Sequence, residues 1–236
     1  MSIWSRISAI ASAIGAGGVE VVDRIVQFIA TAGDGRGGDR SVAFTVAMIA
    51  LSAKMAKADG VVTGEEEIAF LDVFDIPAGE ERNVARLFNL AKQDIAGFET
   101  YAERLAALFP DDTDIRVDIL DVLFHIAKAD GLVHEREVSY LRRVGEIFGL
   151  DARSFDQILA RHTRDGGDPY LVLGLTGEAS DEEIKRTYRK LVSETHPDRL
   201  IARGVPEEFV RIANDRLAAL NDAYAKIIAE RGGAGA

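Results

Sequence analysis

Read for apolar and polar positions alone, the chain of 236 residues gives helical periods almost throughout. Apolar side chains return at intervals of three and four, and no convincing run of strict alternation marks a strand. The first stripe is Ile3, Ile7, Ile10 and Ile14 with Trp4 beside it, which predicts an amphipathic helix docked on the protein's own core or on a partner. Gly33-Asp34-Gly35-Arg36-Gly37-Gly38 then breaks the pattern, because glycine at this density favours a connection over a helix interior. From Ser41 to about His162 the helical pattern resumes, and Pro77 and Pro110 fall where one pattern ends and the next restarts. Arg164-Asp165-Gly166-Gly167 is a second break, and the tail from Gly232 should fray. The expected fold is all-α in three parts. Residues 1–39 form a helical segment and Gly-rich linker, 40–162 a helical domain, and 168–232 a small helical domain.

The middle part carries an internal repeat. Lys57-Ala58-Asp59-Gly60-Val61-Val62 matches Lys128-Ala129-Asp130-Gly131-Leu132-Val133 at an offset of 71 residues. Each copy follows an apolar run, Val42 to Met55 and Ile115 to Ile126, and each precedes an acidic helix start, at Glu67 and Glu137. Both copies read as helix, tight turn, helix, with Gly60 and Gly131 at the left-handed position that closes the first helix. Thr63 with Glu66 has capping-box spacing, whereas His134 takes the place of Thr63 in the second copy and predicts a weaker cap. Two such hairpins cannot each bury an apolar stripe alone, so they are expected to pack into one bundle.

The paired Lys-Ala-Asp-Gly turns with acidic helix starts resemble the TerB family over roughly Arg40 to Leu150. That resemblance brings Asp59 and Asp130 forward as candidate metal ligands, since TerB proteins have been suspected of binding metal ions through acidic residues. The residues themselves favour a turn, because neither aspartate has the alternating oxygen ligands of a calcium loop. An aspartate before a helix-ending glycine more often bonds its own backbone. No metal site is expected.

The last part opens on Asp168-Pro169, an aspartate cap with proline at the first helical position. Gly174 ends that short helix, and Ser180 with Glu183 starts the next with capping-box spacing. Along it Ile184, Tyr188, Leu191 and Val192 share one face, while Lys185, Arg186, Arg189 and Lys190 share the opposite one. The helix stops at His196-Pro197-Asp198, because Pro197 disfavours helical geometry in His196 and turns it extended. After a loop from Leu200 to Pro206, a third helix is expected from Glu207 to about Ala229. Its apolar face is Phe209, Ile212, Ala213, Leu217, Leu220, Tyr224 and Ile227, antiparallel to the second helix.

This order resembles the J domain, carried by Ile184 to Leu191, by His196-Pro197-Asp198-Arg199 and by Asn221-Asp222-Ala223-Tyr224. A TerB-like region followed by a C-terminal J domain resembles the DjlA co-chaperone family. The resemblance implies docking on a DnaK-type chaperone and stimulation of its ATPase through the His-Pro-Asp turn. The chaperone-binding set it points to is His196, Pro197, Asp198, Lys185, Arg186, Tyr188, Arg189 and Lys190. The TerB-like region would sense a partner, a client or an ion. The rival reading is a stress-response scaffold of tellurite-resistance type in which the J domain is accessory.

Charge and composition narrow the remaining classes. A net charge of −11 argues against a nucleic-acid binder. With no cysteine, disulfides and thiolate chemistry are excluded. No phosphate loop, nucleophile motif or cofactor fingerprint occurs, so neither an enzyme nor a cofactor is expected. His125, His134 and His162 share no ligand spacing. DjlA proteins carry an N-terminal membrane span. Here Ile7 to Val19 falls short of the roughly 18–20 apolar residues needed, so a cytoplasmic protein is expected, with peripheral attachment to the inner face of the membrane left open.

Overall fold

The computed structural model describes residues 3–13, 27, 37–58, 76–77, 79–93, 97–128, 133–163, 167–202 and 210–233. Among these residues there is no strand, and eleven helices make an all-α fold. In chain order they are α1 (Ile3–Ala13), α2 (Gly37–Ala58), α3 (Glu81–Gln93), α4 (Phe98–Leu108), α5 (Thr113–Ala127) and α6 (Glu135–Ile147). There follow α7 (Ala152–His162), α8 (Pro169–Val172), α9 (Asp181–Glu194), α10 (Pro197–Ala202) and α11 (Val210–Gly233).

Helix α2 is apolar on nearly every side between Val42 and Ala56, and a helix of that kind is stable in water only inside a core. Helices α1, α3, α4, α5 and α6 accordingly pack around it. The amphipathic α3 turns Val84, Leu87, Phe88 and Ala91 inward. Tyr140 reaches in from α6, where its hydroxyl donates to the Leu51 carbonyl at 2.8 Å, so the buried polar tip is satisfied. Arg116 gathers chain ends, donating to the Phe109 carbonyl at 2.9 and 3.1 Å and to the Phe148 carbonyl at 2.8 Å. Both carbonyls lie at helix ends, where intrahelical partners run out. The N-terminal stripe docks on this core through Trp4, Ile7 and Ala11. No helix among the described residues is long and apolar enough to cross a membrane.

The two first helices of the repeat, α2 and α5, pack on each other. The repeat turns, with Gly60, Gly131, Thr63, Glu66 and the candidate ligands Asp59 and Asp130, lie outside the described residues. At the start of α6 the buried Glu137 carboxylate accepts from the His134 backbone N–H at 2.8 Å. This is the reciprocal half of a capping box, made by the glutamate three residues in.

A second apolar cluster joins Tyr170, Val172, Leu173, Ala179, Ile184, Leu220, Ala223 and Ile227. Asp168 accepts from the Tyr170 N–H at 2.9 Å, with Pro169 opening α8, and Ser180 accepts from the Glu183 N–H at 3.3 Å. Gly174 closes α8 at φ +71°, and a Cβ there would stand 2.9 Å from the Gln157 side chain. The left-handed conformation favours glycine, and any larger residue would also have to displace the Gln157 amide. Helices α9 and α11 pair as expected, with the Tyr188 and Tyr224 rings stacked 4.1 Å apart. Arg231 closes the far end, donating to the Tyr170 hydroxyl at 3.0 Å and to Asp181 at 2.7 Å.

Three expectations need correction. The stretch after Asp198 is not a plain loop, because α10 runs from Pro197 to Ala202 with proline at its first position, where the missing N–H costs nothing. Helix α11 runs on to Gly233, past the expected end near Ala229 and into the tail expected to fray; its expected start at Glu207 lies outside the described residues. Ala213 shares the apolar stripe of α11 but packs into the core of the first cluster, because α11 has a second neighbour besides α9.

Candidate functional site

The first turn of α9 carries Asp181, Glu182 and Glu183, which favour the positive end of the helix dipole. Its last backbone bond runs from the Thr195 N–H to the Leu191 carbonyl at 2.9 Å. Thr195 and His196 lie between α9 and α10, and the Arg199 N–H returns to the His196 carbonyl at 2.9 Å to close the turn. The Asp198 backbone N–H donates to His196 Nδ1 at 3.3 Å. With Nδ1 accepting, a neutral ring carries its proton on Nε2. The Asp198 carboxylate stands 3.6 Å from the same Nδ1. Both side chains face water, at 59% and 86% exposure. An imidazole and a carboxylate are thus held at one separation by backbone geometry, with little packing around them.

Lys185, Arg186, Arg189 and Lys190 are all exposed on the side of α9 away from Ile184 and Tyr188. Lys190 lies 3.8 Å from Glu194 one turn on, a surface pair that leaves the strip cationic. Tyr188 does not belong to that strip. It is half-buried, stacked on Tyr224, and its hydroxyl donates to Asn221 Oδ1 at 2.8 Å, so it holds the helix pair together. What the arrangement can do chemically is bind. A cationic strip leads to an exposed polar turn.

A different polar cluster lies buried between the two apolar clusters. Asp121 on α5 receives Arg161 at 2.7 Å and His162 at 3.1 Å, both from α7, and lies 3.4 Å from Arg216 of α11. Arg216 also pairs with Asp118 at 2.7 Å. Burial alone would push the Asp121 carboxyl up, but the Arg161 and Arg216 guanidiniums and the His162 hydrogen bond hold it well below the usual carboxylate range. Burial lowers Arg161 to about 10, with Asp121 opposing the fall. Beside this cluster a cavity of about 470 Å³ is lined by His125, Lys128, His162 and Asp215 among others, and His125 lies 3.2 Å from Asp215. No group that could hold a metal ion occurs among the described residues. Sequence reasoning missed the cluster entirely. The one available signal was Asp121 itself, a lone charge inside the apolar run Ile119 to Phe124.

Residues 45–160 match the family described as "Tellurite resistance protein TerB", and residues 168–226 match the DnaJ domain. Among curated proteins, the chain is 31% identical to "Co-chaperone protein DjlA" of Photobacterium profundum, over 82% of this chain and 80% of that protein. It is 34% identical to the protein of the same name from Coxiella burnetii, over 73% and 72% of the two chains. The corresponding protein of Shewanella oneidensis is 28% identical over 84% and 82%. No solved structure matches.

Proposed function

The chain belongs to the DjlA family of co-chaperone proteins, and from that premise we propose that it docks on a DnaK-type chaperone and stimulates its ATPase through His196-Pro197-Asp198. The observation that carries this reading is the intact turn, solvent-exposed and preformed at the end of a helix whose cationic strip is open to a partner. Lys185, Arg186, Arg189 and Lys190 meet an acidic surface and set orientation and on-rate. Pro197 fixes the turn, and Tyr188 contributes indirectly by holding α9 against α11. His196 transfers no proton, because the ATP site belongs to the partner. The His196–Asp198 pair instead favours one partner conformation by hydrogen bonding and charge. The chain itself catalyses nothing in this reading, and it works in the cytoplasm or attached peripherally to the inner face of the membrane.

The TerB-like bundle acts as a module that senses a partner, a client or an ion. Against the scaffold alternative stands the exposure of the turn, since an accessory J domain has no need of an accessible signalling contact. The test is single-turnover ATP hydrolysis by a DnaK-type chaperone with the full chain and its His196→Gln variant. Stimulation by the parent and its loss in a variant with unchanged circular dichroism is expected. A folded variant that stimulates fully returns the question to the scaffold reading. Replacing Lys185 and Arg189 with glutamine should weaken stimulation gradually and reduce its sensitivity to salt.

A further inference from the structure

The cavity of about 470 Å³ between the bundle and the J domain is walled by three helices. Asp121, His125 and Lys128 follow one another at intervals of four and three, so one face of the last turns of α5 and its capping residue line the space. Arg161 and His162 come from the last turn of α7, and Asp215 and Arg216 from α11. Ala218 and Ala219 complete the α11 wall, and their small side chains leave it open. The volume falls within the roughly 300–1,000 Å³ of small-molecule sites.

This wall is rich in donors and short of acceptors. Asp121 is taken up by Arg161 and His162, and Asp215 by His125. Arg216 rests chiefly on Asp118 at 2.7 Å, which stands outside the cavity lining. These pairs use Nη1 of both guanidiniums and leave Nη2 of each outside them. Nε of each is buried with no hydrogen-bond partner among the described residues. Lys128 makes no ion pair among the described residues. Helices α5 and α7 both end at the cavity, and their C-terminal carbonyls account for the cations of their own last turns. They do not account for Arg216, which lies far from the C-terminal end of α11.

A surplus of cationic donors calls for an anion. A carboxylate offers two coplanar oxygens, which a single guanidinium fork satisfies. Donors converging from three helices suit a phosphate group better, since it presents three acceptor oxygens in different directions. We propose that this cavity binds a small phosphate-bearing ligand, held by Lys128, Arg161 and Arg216 with the His125 and His162 rings beside it. Such a ligand gives the sensing role of the bundle a chemical identity. That role rests on the sensing reading above, whereas the binding itself does not depend on the chaperone.

Two of the four histidines, His125 and His162, line the cavity, whereas His134 caps α6 and His196 lies past the end of the basic strip. Histidine-ring NMR of the full chain at fixed pH and ionic strength therefore locates a bound anion. Inorganic phosphate should shift His125 and His162 saturably and leave His134 and His196 unmoved. Lys128→Gln should raise the half-saturating concentration at least about tenfold. Ala218→Glu sets a carboxylate at an exposed helix position on the wall, and should abolish the shifts with unchanged circular dichroism. Acetate should bind at least about tenfold more weakly than phosphate. Glycerol phosphate separates the sources of the group: tighter binding than inorganic phosphate assigns an ester, and weaker binding the free ion. No saturation below about 10 mM phosphate overturns the site. Shifts at His196 alone, which place the anion on the strip, overturn it equally, as do parental affinities in both variants. Acetate binding as tightly as phosphate overturns the ligand class. If phosphate alters chaperone stimulation equally in the parent and Ala218→Glu, the sensing role falls while the site stands.

Discussion

Asp198 and Asp121 each stand close to a histidine, at 3.6 Å from His196 and 3.1 Å from His162. Asp198 leaves 86% of its side chain in water, and its surroundings are set by the backbone of one turn. Asp121 leaves 2% exposed and draws partners from two other helices, one of them 95 residues further along the chain. The same chemical group therefore does opposite work. Where water solvates the carboxylate, replacing it costs the fold little and can cost the function everything. Where the carboxylate neutralises buried cations, replacing it costs the fold first.

Asp121→Ala should have the largest effect on stability. It leaves Arg161 buried without its carboxylate, while Arg216 keeps Asp118, for a loss of roughly 3–5 kcal/mol in urea denaturation. A loss below about 1 kcal/mol would break the contrast with Asp198. Leu220→Ala removes a fully buried side chain from the J-domain core and should cost roughly 2–5 kcal/mol, with stimulation retained at temperatures where the variant is folded. Stimulation lost in the folded variant would show that core packing, and not the turn, sets the signal.

Acidity sharpens the comparison further. The Asp121 carboxyl is held below its ordinary 3.8, so its contribution is complete above the unfolded value and is lost as pH falls through the depressed folded one. The stability difference between the parent and Asp121→Asn should not shrink from pH 7 to pH 5, and should shrink below about pH 4. Shrinkage in the upper range would contradict the charge argument. Tyr188→Phe loses only the bond to the exposed Asn221 and should cost about 0.5–1.5 kcal/mol by thermal unfolding. Asp198→Asn should stay within about 0.5 kcal/mol of the parent.

Signals that act over a few residues were legible. The caps at Asp168 and Ser180, the stop at Gly174, the break at His196 and the opposed faces of α9 are each decided within one or two turns. The chaperone-docking candidates fall in such a stretch, which is why they could be named beforehand. The resemblance sets Tyr188 beside them, and the structure adds that its ring packs against Tyr224, since spacing gives a face and not a partner. Pairings between distant segments were not legible. Nothing local tells Arg216 on α11 that Asp118 and Asp121 on α5 will receive it, or that Ala213 will face the bundle instead of α9. Asp121 inside an apolar run announced a buried charge without naming its cations.

An exposed turn, dispensable for folding, is proposed to carry the signal to the chaperone. Single-turnover ATP hydrolysis by a DnaK-type chaperone, with the parent and Asp198→Asn compared at equal concentration and with matched circular dichroism, tests it most directly. Stimulation by the parent and none by the variant, at indistinguishable stability, is expected. Full stimulation by folded Asp198→Asn would contradict it.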